Sequence, residues 1–326
     1  MPLNETPILE LRQIVKRFRL PRRRLNRPTR VVHAVNKVNL SINLGETLAL
    51  VGESGCGKTT LGRCAIRLYQ PTEGSVLFRG IDVTETRGIG LHPFRKSVQM
   101  VFQDPNSSLN PRMQAASIIE EPMQIHQLGN RAFCRERVAE AMDAVGLSRQ
   151  FSNRYPHEFS GGERQRIAIA RTLVLEPDLI IADEPVSALD VSIQSQVLNL
   201  FADLREQRGL ALLFITHDLA VVNFIADRVA VMYLGRIVEI ANRDVLLREP
   251  HHPYSQALRA AVPKPGAGKR QSRKVLVGSS PDPTSPPRGC PFHPLCPKAQ
   301  TICKEIEPVL ESVGGNVNHQ AACHFK

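Results

Sequence analysis

The sequence lacks a long hydrophobic run. Its 326 residues contain no stretch near the ~18 uninterrupted apolar residues that a membrane helix needs, and even Leu219 to Leu234 is interrupted by Asn223, Asp227 and Arg228. The N-terminal segment MPLNETPILE also lacks a basic region followed by an apolar core and a cleavage site, so we expect no export. These absences exclude a membrane-spanning subunit and predict a protein that stays in the cytoplasm.

The sequence has fewer acidic than basic residues, and the basic excess is local. The 42 Lys and Arg against 31 Asp and Glu give a net charge of +11, of which residues 1–40 supply +8. The rest of the chain is nearly balanced, which disfavours a DNA-binding face and predicts no nucleic-acid partner. The basic stretch fits a solvated loop, or contact with anionic lipid headgroups or an acidic partner.

A glycine-rich segment follows a short apolar run. Thr47–Val51 has the length of a buried strand and leads directly into Gly52–Thr59, which matches G-x-x-x-x-G-K-[ST]. After this segment, Leu61, Ala65 and Leu68 recur at helical spacing. Strand, loop and helix in this order predict a phosphate-binding loop, whose backbone N–H groups face phosphate oxygens.

Individual residues of this loop have separate roles in phosphate binding. Lys58 supplies a positive charge for the β- and γ-phosphates, Thr59 places a hydroxyl to ligate Mg²⁺, and Thr60 supports the first helical turn near the α-phosphate. Cys56 lies just before Lys58 and a helix N-terminus, surroundings that favour the thiolate and predict a thiol-sensitive loop. The residues expected to bind nucleotide here are Gly52, Ser54, Gly55, Cys56, Gly57, Lys58, Thr59 and Thr60.

A second apolar run ends in two carboxylates. Leu179–Asp183 reads as a central strand and is followed by Glu184, and a further apolar run spans Leu210 to Thr216. A parallel sheet presents its ligand-binding residues at the carboxyl ends of its strands. We therefore expect Asp183 to hold Mg²⁺ through water and Glu184 to act as the base for an attacking water.

Two glycines precede the helical run that leads to this strand. Ser160, Gly161 and Gly162 offer a second helix N-terminus for binding an anion. Taken alone, Ser-Gly-Gly is only a turn. Its position one short helix before Asp183 is the order of the ATP-binding cassette family.

Over residues 8–250 the chain resembles the nucleotide-binding subunit of an ATP-binding cassette (ABC) transporter. Gln103 matches the glutamine loop of the family, Asp190 its aspartate loop and His217 its switch histidine, while Phe18 lies near the place of the adenine-stacking aromatic. The resemblance implies catalytic roles for Gln103 and His217 beside the general base, and it places Gln103 near the γ-phosphate and Mg²⁺.

One residue departs from the family pattern. Glu163 stands where the family usually has Gln. The change leaves the anion contacts of Ser160 and Gly162 intact and bears on the rate of hydrolysis.

The C-terminal part is similar to the extension of oligopeptide and dipeptide importer ATPases, at residues 252–263 and 289–297. The resemblance implies an ATPase that energises import of short peptides, with relatives that move nickel or glutathione. It implies as partners a second, unequal ATPase subunit, two membrane permeases and, indirectly, a substrate-binding protein. A soluble cassette protein of DNA repair or translation is the alternative, although such proteins commonly carry two cassettes or a long coiled coil.

Four cysteines lie close together near the C-terminus: Cys290, Cys296, Cys303 and Cys323. In a reducing cytosol clustered thiols favour a metal over disulfides, and a tail too small for its own core would gain order from one. No tight C-x₂₋₄-C pair of structural zinc occurs here, and the resemblance favours a [4Fe–4S] cluster, with zinc as the alternative metal and disulfides or free thiols as the metal-free alternatives. His293, His319 and His324 are alternative ligands. Because the tail is remote in sequence from Lys58, we expect the metal to organise subunit contacts rather than ATP chemistry.

The predicted fold class is α/β: a P-loop NTPase of the ABC cassette type with a helical subdomain and a C-terminal Cys-containing extension. We place the cassette at 1–250, its helical insert at about 112–175, the extension at 251–326 and a Pro-rich linker at 263–289. The resemblance implies a head-to-tail dimer, peripheral on the cytoplasmic face of the cell membrane, with ATP between the phosphate loop of one protomer and the Ser160 region of the other.

Overall fold

A computed structural model describes residues 6–20, 30–261 and 281–325. The basic residues at 22–27 and most of the predicted linker lie outside the described residues. The described strands are β1 (Leu9–Arg19), β2 (Val31–Ile42), β3 (Thr47–Val51), β4 (Glu73–Phe78), β5 (Ile81–Asp82), β6 (Val98–Val101), β7 (Leu179–Asp183), β8 (Ala211–Thr216), β9 (Arg228–Tyr233), β10 (Arg236–Asn242), β11 (Glu311–Val313) and β12 (Asn316–Ala321).

Helices and strands alternate from β7 to β9. The helices are α1 (Lys58–Ala65), α2 (His92–Ser97), α3 (Pro105–Ser108), α4 (Ala115–Ile125), α5 (Arg131–Ala144), α6 (Gly161–Leu173), α7 (Val191–Arg208), α8 (Leu219–Ile225), α9 (Arg243–Arg248), α10 (Pro253–Ala261) and α11 (Thr301–Glu305). Among the described residues, no helix combines the length and the hydrophobicity needed to cross a membrane.

The first of two compact units contains the described residues of Met1–Leu9, Ile42–Glu46 and Phe78–Ile215. In it, β7 lies between β6 and β8, and both pairings are parallel. All residues of β7 and β8 are buried, as continuous apolar strands are when helices cover both faces of a parallel sheet. Both predicted strands are confirmed, the second beginning at Ala211.

Helices α4, α5 and α6 occupy most of the range 112–175, where the sequence predicts a helical insert. Each of these helices packs against the other two. Asn130 caps the start of α5, and its side chain accepts a hydrogen bond from the Phe133 N–H at 3.0 Å. The three helices belong to the same compact unit as β6 and β7.

The second unit contains the described residues of Glu10–Ser41, Thr47–Leu77 and Thr216–Lys326. One of its sheets has the order β2-β1-β4, and the other has the order β11-β12-β10-β9-β3 with β3 parallel to β9. Strands β9 and β10 pair in antiparallel fashion through a turn in which Leu234 and Gly235 have φ of +43° and +78°. Two central residues with positive φ suit the right-handed twist of a hairpin.

Helix α1 is shorter than its apolar spacing predicts. It ends at Ala65, and Leu68 is 51% exposed. Arg67 adopts φ +56°, a left-handed conformation that stops the helix.

The C-terminal extension continues the second unit. Strand β12 pairs with β10, with Glu239 opposite Ala321. Tyr254 and Phe292 of the extension lie in one hydrophobic core with Val51 of β3. A short tail buries too little apolar area to fold around a core of its own, so it completes the core of the cassette. Residues on both sides of the proposed boundary at 250 therefore pack in the same core.

Candidate functional site

The phosphate loop connects β3 to α1 within the second unit. Lys58 is 4% exposed, and its Nζ donates hydrogen bonds to the Gly52 carbonyl at 2.8 Å and the Glu53 carbonyl at 2.9 Å. A buried ammonium group needs such acceptors. Phosphate oxygens are stronger acceptors than carbonyls because they carry charge. The lysine is therefore held by its own loop in the place from which it can reach a nucleotide.

Two glycines of the loop are required by their surroundings. A Cβ at Gly52 would lie 2.2 Å from the Met232 carbonyl oxygen, and one at Gly57 would lie 2.1 Å from that of Ala34. Gly57 also has φ +109°, which disfavours any residue with a side chain. The loop is thus pressed against the backbone of β2 and β9, and only glycine permits that approach.

The remaining loop residues face different environments. Ser54 and Gly55 are exposed, and Thr59 and Thr60 are half-buried in the first turn of α1. Their roles at a nucleotide and at Mg²⁺ stay predictions.

The environment of Cys56 differs from the one that the sequence predicts. Its side chain is buried, and burial raises the pKa of the thiol, outweighing the opposing effect of Lys58. A thiolate is disfavoured where water is excluded. The prediction that the loop favours the Cys56 thiolate is therefore wrong, because position in the sequence did not show the depth of burial.

Asp183 and Glu184 follow each other at the end of β7 in the first unit. Asp183 is 1% exposed, and its carboxylate is the oxygen ligand type that Mg²⁺ prefers. Glu184 has φ +47°, an unusual conformation for a residue with a side chain. Its N–H donates to the Ile215 carbonyl at 2.9 Å, which fixes the strained residue at the strand end.

The structure brings Gln103 to Glu184 across 81 residues of sequence. Gln103 follows β6 and donates from Nε2 to Glu184 Oε2 at 3.3 Å. Neighbouring parallel strands end at the same edge of a sheet, which explains the meeting. The predicted base and the predicted glutamine loop therefore meet in one place.

Ser160 begins α6 with a reciprocal capping arrangement. The Ser160 N–H and hydroxyl both donate to Glu163 Oε2, at 2.8 and 2.7 Å, and the Glu163 N–H donates to Ser160 Oγ at 3.3 Å. Hydrogen bonds from Ser160 lower the pKa of the Glu163 carboxyl below its usual range. Glu163, which stands where the family usually has Gln, thus places a negative charge beside the serine that is expected to bind phosphate.

Gly162 and Asp190 also have local structural roles. A Cβ at Gly162 would lie 2.4 Å from Ile193 Cγ2, so the helix start is packed too closely for a larger residue, whereas Gly161 is exposed. Asp190 caps α7 by accepting the Ile193 N–H at 3.0 Å, and such hydrogen bonds lower the pKa of its carboxyl. This capping role was not predicted, although Asp before a helical run is its usual signal.

His217 and Phe18 belong to the second unit. His217 is exposed directly after β8. Phe18 is half-buried, makes an edge contact with Tyr69 at 5.6 Å between ring centroids, and has Lys16 Nζ 5.2 Å from its ring. Roles of His217 at the γ-phosphate and of Phe18 at adenine stay predictions.

The four C-terminal cysteines line one small cavity in the second unit, together with His252, His293 and His324. No cysteine of the chain is in a disulfide; all seven lie among the described residues. Burial, helped by the other three cysteines, raises the pKa of Cys290 to about 11. Within the part of the chain that the structure describes, no three Cys, His, Asp or Glu side chains are placed to hold a metal ion.

The three predicted alternative histidine ligands have other hydrogen-bond partners. His319 is buried and contacts Glu239 Oε1 through Nε2 at 2.7 Å. His293 contacts the Cys290 carbonyl at 2.9 Å, and His324 contacts the Ile306 carbonyl at 3.0 Å. The structure therefore gives these three histidines other contacts and does not place them as ligands.

One residue next to the phosphate loop was missed. The Tyr254 hydroxyl accepts a hydrogen bond from the Glu53 N–H at 2.9 Å. In the sequence Tyr254 is only part of the segment that resembles importer ATPases, and no local pattern points to a partner 201 residues away. The extension therefore contacts the phosphate loop, although the two are far apart in sequence.

Known families match two parts of the chain. Residues 35–187 match the family described as ABC transporter, and residues 238–303 match the family described as oligopeptide/dipeptide transporter, C-terminal region. The oligopeptide transport ATP-binding protein AppF of Bacillus subtilis (strain 168) is 51% identical, over 99% of this chain and 98% of its own length.

Solved structures agree with these matches. The ATP-binding cassette MJ0796, a dimer in a post-hydrolysis state bound to ADP and Pi, is 29% identical with a TM-score of 0.64, covering 72% of this chain and 98% of its own. The protein cbiO1 of Clostridium perfringens, part of the ABC transporter complex cbiONQ, is 28% identical with a TM-score of 0.63, covering 76% and 97%. The predicted fold class and resemblance are confirmed: the chain belongs to the ABC ATPase family, and its C-terminal region to that of the oligopeptide/dipeptide transporters.

Proposed function

We propose that this chain is the ATP-hydrolysing subunit that energises import of short peptides through a membrane ABC transporter. The observation that carries the proposal is the 51% identity, over 99% of the chain, to a relative named for oligopeptide transport. The match of residues 238–303 to the oligopeptide/dipeptide transporter C-terminal region supports the same substrate class. The buried Lys58 and the paired Gln103 and Glu184 support ATP hydrolysis as the reaction.

Lys58 and the loop glycines bind the phosphates in this proposal. When Lys58 Nζ turns from the Gly52 and Glu53 carbonyls to the β- and γ-phosphates, it exchanges neutral acceptors for charged ones. Thr59, Asp183 and Gln103 would hold Mg²⁺, whose chemistry is to neutralise charge that develops on the phosphates. Phe18 would stack on adenine.

Glu184 accepts the proton of the attacking water. Its hydrogen bond to Gln103 orients the carboxylate, and the strained backbone keeps it at the end of β7. His217 donates a hydrogen bond to the γ-phosphate as charge develops there. These roles assign catalysis to Glu184, Gln103 and His217.

A second cassette completes the assembly. Ser160, Gly161 and Gly162 at the start of α6, with Asp190 at the start of α7, contact ATP held by the phosphate loop of the partner ATPase, which we propose to be a related but unequal chain. The dimeric state of MJ0796 with ADP and Pi supports a paired arrangement. Two permeases and a substrate-binding protein complete a transporter with this chain on the cytoplasmic face of the membrane.

The four C-terminal cysteines hold a [4Fe–4S] cluster in this proposal, with zinc as the alternative metal. Thiolates are donors for either group, and the four thiols line one cavity, but no three of them are placed to hold a metal ion among the described residues, so they would have to move together on binding. Burial that raises the pKa of Cys290 favours neutral thiols, and a bound cation reverses that preference. These cysteines would add a metal-held link to an extension that already packs in the core of the cassette.

Reconstitution tests the proposal. The full chain is co-expressed with its candidate permeases and partner ATPase, purified, and placed in lipid vesicles with the substrate-binding protein. We expect ATP hydrolysis that rises with peptide-loaded binding protein and peptide uptake that requires ATP. Stimulation by nickel or glutathione instead would reassign the substrate. Full hydrolysis by a chain that never co-purifies with permeases would favour the soluble alternative.

A further inference from the structure

One peptide group of the phosphate loop is held from both sides. The Gly52–Glu53 peptide accepts a hydrogen bond at its carbonyl from Lys58 Nζ, at 2.8 Å, and donates from its N–H to the Tyr254 hydroxyl, at 2.9 Å. Lys58 belongs to the loop itself, whereas Tyr254 belongs to the C-terminal extension. The extension therefore reaches the turn where the chain leaves β3.

Tyr254 is itself held rigidly. It is fully buried, its ring centroid lies 4.6 Å from that of Tyr233 and 5.5 Å from that of Phe292, and its N–H donates to His252 Nδ1 at 3.1 Å. The His252 N–H in turn donates to the buried Glu239 carboxylate at 2.9 Å. Burial also raises the pKa of Tyr254, so the phenol stays neutral. A side chain fixed in this way holds its hydroxyl at one point.

The loop must keep its shape while the lysine changes partner. As Lys58 moves to the phosphates, the Gly52 carbonyl loses that hydrogen bond, while the Tyr254 bond at the other end of the same peptide is retained. A preorganised loop binds more tightly because less ordering is required on binding.

We infer that Tyr254 is a positioning residue for the phosphate loop, through which the C-terminal extension sets the affinity for ATP. It acts through the Glu53 peptide and touches no nucleotide itself. The inference rests on the proposed function, since it presumes that the loop binds ATP.

Tyr254→Phe tests the inference in the full chain, because it removes only the hydroxyl and keeps the ring. Tyr233→Phe is the matched control: Tyr233 packs in the same aromatic cluster, and its hydroxyl has no hydrogen-bond partner within the described residues. One net hydrogen bond corresponds to a roughly 3- to 10-fold change in an equilibrium constant. We expect Tyr254→Phe to raise the dissociation constant for MgATP by that factor and Tyr233→Phe to leave it unchanged.

Kinetics separate positioning from general damage. In the reconstituted transporter, Tyr254→Phe should raise KM for ATP by the same factor while kcat at saturating ATP changes by less than about twofold, as expected for uniform binding. A chain damaged in its fold would instead lose active molecules, which lowers kcat at an unchanged KM.

Amide hydrogen exchange gives a second measurement, which reports on the free loop and needs no nucleotide. In the nucleotide-free wild type, the Glu53 amide should exchange more slowly than the amide of exposed Ser54, and Tyr254→Phe should remove that difference. Rapid exchange of Glu53 in the wild type would overturn the inference, as would equal affinity losses in Tyr254→Phe and Tyr233→Phe or no loss in either. If the wild type binds no MgATP at all, the proposed function fails first, and the inference falls with it.

Discussion

The Ser160 hydroxyl donates a hydrogen bond to Glu163 Oε2 at 2.7 Å at the start of α6. A helix N-terminus favours one negative charge, and here the carboxylate of the same helix supplies it. Hydrogen bonds from Ser160 keep the pKa of that carboxyl low, so it stays charged at neutral pH. Any phosphate that approaches Ser160 must compete with this carboxylate.

Glu163→Gln should therefore raise ATPase activity of the assembled transporter. Gln retains the capping contact but removes the charge, and we expect KM for ATP to fall by roughly 2- to 5-fold, since charge interactions of this kind are worth about 0.3–1 kcal/mol. The isolated chain should lose stability by a similar amount, about 0.3–1 kcal/mol. Steady-state kinetics and urea unfolding measure the two opposite effects.

Glu158→Gln is the matched control for that substitution. Glu158 accepts the Tyr155 N–H at 2.7 Å in a similar capping contact just before Ser160. It should leave KM for ATP unchanged. An equal fall in KM for both variants would show that general surface charge, not the charge at Ser160, governs ATP binding.

Glu184→Gln should abolish most turnover while ATP binding remains. Loss of a positioned general base typically costs ~10²- to 10⁴-fold in rate, and the amide still accepts the Gln103 hydrogen bond. Phosphate release by the assembled transporter and binding of a fluorescent ATP analogue are the measurements. Lys58→Ala should instead lose both binding and turnover, and a near-normal rate in Glu184→Gln would disprove the assignment of the base.

His217→Ala should show the same combination of retained binding and lost turnover. The γ-phosphate would lose a hydrogen bond that strengthens as charge develops during transfer. Single-turnover phosphate release compared with nucleotide affinity checks this result. Loss of affinity with an unchanged rate at saturation would place His217 in binding rather than in catalysis.

Cys56 should react slowly with thiol reagents near neutral pH. Burial raises the pKa of its thiol, so the thiolate that reacts is scarce, and its fraction grows only as pH rises toward that raised value. Peptide mass spectrometry after brief maleimide treatment at several pH values measures the rate at Cys56 against the rate in the urea-unfolded chain. A folded chain that reacts at pH 7 as fast as the unfolded chain would contradict the finding.

Cys296→Ser should remove bound metal and impair transporter assembly before it impairs ATP binding. The serine hydroxyl is a poor replacement for a thiolate ligand, and the segment around Cys296 would lose the link that a bound metal would add. Anaerobic purification with metal analysis, visible absorption and co-purification with permeases provides the measurements. Zinc without iron would reject the cluster, and no metal in the wild type would reject the site.

Cys134→Ser is the matched control for the metal experiment. Cys134 is buried in α5 of the first unit, and its Sγ contacts the Leu128 carbonyl at 3.2 Å, a contact that a serine hydroxyl can also make. Metal content should not change. Loss of metal in this variant would point to general unfolding of the chain.

The sequence alone predicted the residues of the ATP site. Gly52–Thr59 had to be a phosphate loop because glycines, Lys58 and Thr59 stand at consecutive positions, where local backbone geometry sets their relation. The strand before Asp183 was equally predictable, since a continuous apolar run needs burial on both faces.

Contacts between distant segments could not be predicted in this way. The capping of Ser160 by Glu163 is local and was open to sequence reasoning, but the approach of Gln103 to Glu184 depends on which strands are neighbours. The burial of Cys56 depends on β9 and β2 packing over the loop. Apolar periodicity carries no information on such pairings.

The sequence by itself determined that the chain has a phosphate loop, two carboxylates after a buried strand and four clustered cysteines, because each is a run of residue types along one segment. Only the tertiary structure decided that Tyr254 lies at Glu53 and that the four cysteines share a cavity. The physical reason is that the extension has too little apolar surface for a core of its own. It folds onto β9 and β10, and that packing brings its tyrosine to the phosphate loop.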